Sequence, residues 1–434
     1  MPFVYFPPYP ILLLLLVPGS RACSTVHVPA PGNATVIGRT MELGSLGGEA
    51  ALSFRGFRTP SSGSGLAWRV AVHRRGEEVG KAISLVCDAI THRTWSTKLG
   101  YVSVDVAAQS PFPKLNVTVN LASDGINEAG LTVSEHTLRQ SVYADAAAPA
   151  PAGTSRVCFA AFTAWLLGNV ATVRELREEV LPRLRVVGPV VPLPSGDLLH
   201  WTIDDEREHV VLEFLDGEMR LHNNTAARRS PCLSTRLRAA ARPLPTRPGP
   251  PRARQVGAFT NDPDFTWHLR NLNNFANLSP DWPKGGERIT VQSEVGALPH
   301  AVGHGFNLLG LPGDASPPSR FVRLFFQRQY AVLRAPPASL NESLSLAIGL
   351  LSSVFISQGT VASASPAAGL ELTQYSVLKL PAARQFLFRD YASPRWRRVR
   401  LGELDFAPRA GASARSLPVG DGTLGVEDVT AKLT

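Results

Sequence analysis

Cys23 follows a segment reading Ile11-Leu-Leu-Leu-Leu-Leu-Val17 and then Pro18-Gly-Ser-Arg-Ala22. A short apolar run closed by the small-x-small triplet Ser20-Arg21-Ala22 has the form of a secretory leader and its cleavage site. Residues 1–22 are therefore expected to be a signal peptide. A cut after Ala22 makes Cys23 the first residue of the mature chain, with a thiol and a free α-amine on one residue. An α-amine titrates near ~7.7–8.0 and a thiol near ~8.5, so near neutral pH one can take the other's proton without a histidine. The chemistry this allows is attack on a carbonyl, formation of a thioester, and its hydrolysis. Two other uses of Cys23 stay open: half of a disulfide, or the lipid-bearing cysteine of a bacterial lipoprotein. Arg21 fits the second poorly, because lipid attachment favours a small residue there.

Other chemistry-bearing patterns are sparse. No Gly-x-Ser-x-Gly elbow occurs. His300 and His304 have the spacing of metal ligands on a helix, but they lie in a Gly/Pro-rich stretch without a nearby carboxylate. No metal and no cofactor is expected.

The elements that must position Cys23 read as a mixture of strands and helices. Residues 116–121 alternate as a strand, 123–130 read as a turn, and 131–136 as a second strand. Residues 155–167 are apolar with helical spacing, and Thr172-Val-Arg-Glu175 forms a capping box. A hairpin spans 209–222 around Asp216-Gly217. Asp264 caps a helix to about Phe275, Ser319 precedes a helix over 320–333, and 341–355 form another. Strands return between Leu370 and Leu401. Hairpins alternating with helix pairs suggest antiparallel sheets with helices stacked outside.

Composition sets further bounds. The chain has 434 residues, is 44% hydrophobic and carries four cysteines, so a core rather than crosslinks must hold it. With Cys23 free, Cys87, Cys158 and Cys232 allow one intramolecular disulfide. The net charge of +9 is matched by Arg21 and eight arginines within 226–255, a stretch with no acid. That Pro- and Ala-rich stretch reads as a disordered surface insertion. It has no interleaved aromatics, so nucleic acid is not an expected partner. The apolar run of residues 11–17 is far below the roughly 20 residues needed to span a bilayer, and no integral membrane segment is expected after its removal.

A series of motifs then falls in order: Cys23-Ser-Thr; Gly38-Arg39-Thr-Met-Glu42; Asp124-Gly-Ile-Asn-Glu-Ala-Gly-Leu131; Leu199-His-Trp-Thr-Ile203; Thr260-Asn261-Asp-Pro-Asp-Phe265; Asn271-Leu-Asn-Asn-Phe275; and Leu311 through Arg320-Phe-Val-Arg323. In order and spacing they resemble the choloylglycine hydrolase / penicillin V acylase family of N-terminal nucleophile hydrolases. The resemblance covers one domain, residues 23–407, interrupted by the 226–255 insertion; residues 408–434 are expected to be a flexible tail. It implies an α+β fold, the αββα four-layer sandwich. It also implies roles. Cys23 attacks a linear amide. Arg39 favours the thiolate, its alternative being a surface salt bridge. Glu42, where well-known members carry Asp, holds the α-ammonium. Asn261 donates to the oxyanion, unless it is a plain turn residue. Arg320 is a second active-site arginine, unless it pairs with Asp314 at a helix start. Bile-salt hydrolases place an asparagine seven residues after the glycine of the Gly-Leu pair. Here that position is Thr137, a hydroxyl donor of shorter reach. Met41 and Leu43 are expected to line the substrate pocket.

The expected function is hydrolysis of an N-acyl amide, such as penicillin V, a conjugated bile acid or an N-acyl amine, through a thioester on Cys23. The alternatives are a catalytically inactive binding protein on the same fold and an arginine-rich adaptor working through 226–255. The expected partner is a small-molecule amide, with a homo-tetramer implied by the resemblance. The expected location is secreted or lumenal.

Overall fold

The computed structural model describes residues 22–45, 68–79, 87, 95–109, 118–145, 152–189, 198–224, 255–281, 288–293, 296–301, 304–362, 370–409 and 415–420. The expected leader up to residue 21 and the insertion from 226 to 254 lie outside these residues, as does Cys232.

The first half of the chain contributes β1 (Ala22–Pro29), β2 (Thr35–Ser45), β3 (Trp68–His73), β4 (Tyr101–Gln109), β5 (Thr118–Asn127), β6 (Thr132–Thr137), α1 (Phe162–Asn169), β7 (Leu199–Asp204), β8 (His209–Leu215) and β9 (Glu218–Asn223). The second half adds β10 (Ala258–Phe259), α2 (Phe265–Asn271), α3 (Pro317–Arg334), α4 (Leu340–Ser352), β11 (Leu370–Leu380), β12 (Gln385–Asp390), β13 (Arg397–Arg400) and β14 (Arg415–Pro418). One antiparallel sheet runs in the order β10-β1-β2-β11-β12-β13, with Val361–Ala362 pairing beside β11. The second runs β9-β8-β7-β6-β5-β4-β3-β14.

The layer order follows from which side chains each strand sends to each face. Strand side chains alternate, so β1 presents Cys23, Thr25 and His27 to one side and Val26 and Val28 to the other. Val26 and Val28 pack with Phe321 and Leu324 of α3 and Ala347, Leu350 and Leu351 of α4. On the far side of the molecule, Val133, Trp201 and Ile203 pack with Phe162, Leu166 and Leu167 of α1. Between the sheets, Met41, Tyr375 and Val377 of the first meet Val102, Val104 and Ile126 of the second. This is a helix–sheet–sheet–helix sandwich, the expected α+β class.

Part of the space between the sheets is polar. His27 and His209 both contact Asp204 Oδ1, at 2.9 and 3.2 Å, and all three are buried. Their potential ligand atoms lie within 4.8 Å of one another, but each already has a protein partner. Asn224 faces His27 Nδ1 at 3.4 Å and Thr35 faces His209 Nε2 at 3.4 Å, so both rings and the carboxylate find their hydrogen-bond partners within the protein.

Several expected boundaries move. The apolar stretch 155–167 opens as a strand, Ser155–Cys158, paired in parallel with Leu184–Val187, passes through a 3-10 turn at Phe159–Ala161 and becomes α-helical only at Phe162. Apolar runs of this length do not separate strand from helix by periodicity alone. β5 continues through the expected turn to Asn127, whose side-chain oxygen accepts from Ala129 and Leu131 and so tightens the reversal. α3 starts at Pro317 rather than Arg320, because proline suits a helix's first turn, where its missing N–H is not needed. The expected tail, residues 408–434, includes one strand. Arg415–Pro418 pairs with β3, and Arg69 fixes it by donating to Ser416 Oγ at 2.8 Å, because the edge of β3 otherwise offers unpaired backbone groups. His300 lies on the strand Gly296–Ala301 and not on a helix.

Candidate active site

β1 and β2 pair so that Cys23 lies opposite Met41 and Thr25 opposite Arg39. Alternation brings Cys23, Arg39 and Met41 to the same face, between the sheets. Cys23 and Met41 are each 1% exposed and Arg39 is 0% exposed. Arg39 therefore makes no surface salt bridge. Its Nη2 lies 3.4 Å from Cys23 Sγ and donates to the Glu135 carbonyl at 2.6 Å, while Nη1 donates to the Tyr375 hydroxyl at 2.7 Å. Met41 Sδ is 3.5 Å from Cys23 Sγ. Leu43 follows on β2, with its backbone opposite Leu372; its side chain lies outside the described residues.

The main chain of Cys23 is held from the other side. Its nitrogen, an amide in the intact chain, donates to Asn261 Oδ1 at 2.5 Å. Arg320, in the first turn of α3, donates through Nη1 to the Cys23 carbonyl at 2.7 Å and to Ser24 Oγ at 2.5 Å. Its Nη2 reaches Asn261 Oδ1 at 3.0 Å. Burial lowers the Arg320 pKa, with Glu42 and Cys23 opposing that shift. Asp314, the alternative partner, spends its carboxylate on Ser316 N and Ser319 Oγ.

Asn261 reaches this point because β10 lies beside β1 and a tight approach precedes it. Gly257 has φ +69°, and a Cβ there would sit 2.1 Å from Arg328 Nε, so only glycine fits. His268 of α2 then ties back to the Asn261 carbonyl at 2.9 Å, and burial lowers this histidine to about 4. Asn261 Nδ2 donates to the Thr137 carbonyl at 3.1 Å. Thr137 is thus a neighbour of Asn261, and its own buried hydroxyl has no hydrogen-bond partner among the described residues.

Glu42 sits opposite Ala22, where β1 enters the sheet. Its expected contact with the Cys23 nitrogen is not among the hydrogen bonds of the described residues. Instead it accepts from Thr373 at 2.9 Å. Burial raises the Glu42 carboxyl to about 7 against the pull of Arg320. A glutamate places its charge one methylene further from the strand than an aspartate does, and Thr373 takes it up.

Three residues of the site escaped the sequence reading. Asp124 Oδ2 lies 3.4 Å from Arg39 Nε, and its Oδ1 lies 2.8 Å from Lys379 Nζ. Tyr375 contacts Ser123 Oγ at 2.5 Å besides Arg39. Asp124 opens one of the quoted motifs, and Lys379 is a lone charge in the apolar strand Val377-Leu-Lys-Leu380. Those were the available signals.

The arrangement can do thiol chemistry. A guanidinium beside a sulfur favours the thiolate, and a carboxamide and hydroxyl nearby can donate to a developing oxyanion. A surface cleft of about 380 Å³, lined by Arg75, Glu128, Arg384 and Phe406 among others, shares no residue with this site.

Comparison with known proteins adds the following. The family described as linear amide C–N hydrolases, choloylglycine hydrolase family, matches residues 114–231 and 253–412. Thr137, Asn261 and Arg320 fall inside the match; Cys23, Arg39 and Glu42 precede it. A bile salt hydrolase/transferase from Clostridium perfringens is 27% identical over 211 residues, 48% of this chain and 51% of that protein. A conjugated bile acid hydrolase from Lactobacillus acidophilus is 34% identical over 200 residues, 45% and 50% of the two chains. The chain spans about half the length of these relatives. Among solved structures, a mutant of the Clostridium perfringens conjugated bile acid hydrolase superposes with TM-score 0.65 at 18% identity, covering 94% of this chain and 100% of that one. The penicillin V acylase from Agrobacterium tumefaciens gives 0.57 at 18%, covering 92% of each.

Proposed function

The chain belongs to the choloylglycine hydrolase family of linear amide C–N hydrolases, and from that premise we propose that it hydrolyses an N-acyl amide through Cys23. The observation that carries the proposal is the grip on this one residue: Arg39 at its sulfur, Asn261 and Arg320 at its main chain. The substrate class we propose is an N-acyl amide with an apolar acyl group joined to a small polar amine, with Met41 and Leu43 lining the acyl site.

The proposed reaction has two steps. A cut after Ala22 frees the Cys23 amine. That amine takes the thiol proton, sulfur bonds to the amide carbon, and the carbonyl electron pair moves onto oxygen. Asn261 Nδ2 leaves Thr137 to donate to this oxyanion, and the Thr137 hydroxyl, which has no partner among the described residues, donates beside it. Collapse breaks the C–N bond, and the ammonium passes its proton to the departing amine. In the second step the amine deprotonates a water that attacks the thioester, releasing the carboxylic acid and restoring the thiol. Arg39 lowers the cost of the thiolate throughout. Glu42 accepts the ammonium when the new chain end forms.

A secreted or lumenal location belongs to the same proposal. The disulfide between Cys87 and Cys158 supports it, since such bonds persist in oxidising compartments. The second reading, an inactive binding protein, draws on Glu42 being engaged by Thr373 and Asn261 Nδ2 by Thr137.

The test is N-terminal sequencing of purified protein together with a panel of penicillin V, bile-acid conjugates and N-acyl amines. The hydrolase reading expects a chain beginning at Cys23, turnover of a panel member, and none by Cys23→Ala. A different first residue, or turnover by the alanine variant, sinks it. Saturable binding without turnover favours the second reading.

A further inference from the structure

Asp124 is placed between two cations. Lys379 Nζ approaches its Oδ1 at 2.8 Å and Arg39 Nε its Oδ2 at 3.4 Å, both as ion pairs without an aligned hydrogen bond, the lysine the closer of the two. All three side chains are fully buried between the sheets. Lys379 also donates to Ser134 Oγ. Burying an amine costs several kcal/mol, on the order of a pKa shift of some units, unless it is paired. Burial lowers the Lys379 pKa, and Asp124 pulls it back up. A lysine kept at this cost in an apolar strand calls for a reason.

The charge count supplies one. Arg39 and Lys379 bring two positive charges and Asp124 one negative charge, which leaves one positive charge beside Cys23 Sγ. A Cys23 thiolate completes the balance. Without Lys379, Asp124 and Arg39 would neutralise each other, and the thiolate would be a buried charge without compensation.

The surrounding titratable groups do not replace it. Tyr375, from the same sheet, is raised by burial and stays a neutral phenol. From the facing sheet, His136 is lowered by burial and stays uncharged. The carboxylate of Glu135 turns to Thr163 on the helix side, and Asp204 is held by His27 and His209. From the helix layer, Arg320 faces the Cys23 carbonyl and the charge of Glu42.

We propose that Lys379 is a positioning residue: by engaging Asp124 it keeps the Arg39 guanidinium, and its charge, directed at the Cys23 thiol. Its catalytic relevance rests on Cys23 being the nucleophile. Arg39 keeps its bonds to Tyr375 and Glu135 in either case, so Lys379 acts on where its charge is spent.

The experiment titrates Cys23 by thiolate ultraviolet absorbance, which does not require reagent access to a buried sulfur. The full chain carries Cys232→Ser, and the signal of a second chain with Cys23→Ala added is subtracted. Lys379→Gln, which can still hydrogen-bond Ser134, is expected to raise the titration midpoint, with roughly tenfold less thiolate at pH values below the midpoint for each unit. Asp124→Asn is expected to lower it. A purely structural role would move both variants the same way or neither. A Lys379→Gln midpoint at or below the parent, or an Asp124→Asn midpoint at or above it, overturns the proposal. Each variant decides alone if the other fails to fold, as judged by near-ultraviolet circular dichroism, and Lys379→Met replaces Lys379→Gln if neither folds. Amide turnover by Cys23→Ala would end the hydrolase reading yet leave this titration intact, so the two failures are distinguishable.

Discussion

Arg320 donates through Nη1 to the carbonyl oxygen of Cys23 at 2.7 Å, across 297 residues of sequence. A helix of the outer layer thereby fixes the main chain of the proposed nucleophile, while Arg39 of the neighbouring strand addresses its sulfur. The two arginines have separate tasks, and substitution should separate them.

Arg320→Gln is expected to lower stability by about 2–3 kcal/mol, because hydrogen bonds to a charged group contribute about 1.5–3 kcal/mol and Gln cannot reach both Cys23 and Asn261. Urea unfolding checks this. Arg39→Lys should leave stability closer to the parent and instead slow acylation, since a lysine cannot serve Tyr375, Glu135 and the sulfur together.

Asn261→Ala is expected to reduce kcat by roughly 10²–10³, the loss typical of one oxyanion donor, about 2.7–4 kcal/mol of barrier. Thr137→Val, which removes only the hydroxyl, should cost less. Steady-state kinetics on the best panel substrate measures both. A fall in both confined to KM would argue against oxyanion roles.

Acid stability should depend on Glu213. Burial pushes its carboxyl up, but hydrogen bonds from His200 and His222 outweigh burial and hold it at about 2. A depressed carboxylate stabilises the fold above its unfolded pKa of ~4.5, and that stability is lost as pH falls towards about 2. The contribution is on the order of 3 kcal/mol. Stability measured between pH ~5 and ~2 should fall less steeply in Glu213→Gln, which is also less stable at neutral pH.

Cys87 and Cys158 are joined in a disulfide, so neither is a free thiol in the folded chain. Unfolded, non-reduced protein should titrate two thiols, Cys23 and Cys232, and reduced protein four. Cys158→Ser should destabilise the chain by about 2–4 kcal/mol, given the 71 residues the bond spans.

Much of the scaffold is legible locally. The hairpin β8–β9 follows from alternation around Asp216-Gly217, and both turn residues have positive φ. Asp264 caps α2 by accepting from Trp267 N, as its position predicts. Thr172 caps its helix, with Thr172 Oγ1 accepting from Glu175 N, while Glu175 Oε2 accepts one residue earlier than a capping box has it, from Ala171 N. Each of these depends on residues within a few positions of one another, so neighbouring side chains and backbone settle them. The run 155–167 misleads for the same reason: its strand pairs with Leu184–Val187, and its own residues do not specify that partner.

The sequence by itself determined that Cys23 stands at the end of a leader-like segment, that strands with one polar and one apolar face follow it, and that Arg39, Asn261 and Arg320 recur at family spacing. Only the tertiary structure decided which charges face one another. Lys379, Asp124 and Arg39 meet because β11 pairs with β2 in one register and the second sheet stacks on that face. Glu42, two residues beyond Met41's neighbour Thr40, instead turns to Thr373 on the opposite face. A strand's alternation fixes which residues share a face, but the partner across the gap is set by how two sheets pack. In a buried, low-dielectric gap that partner decides whether a charge is tolerated and where it acts.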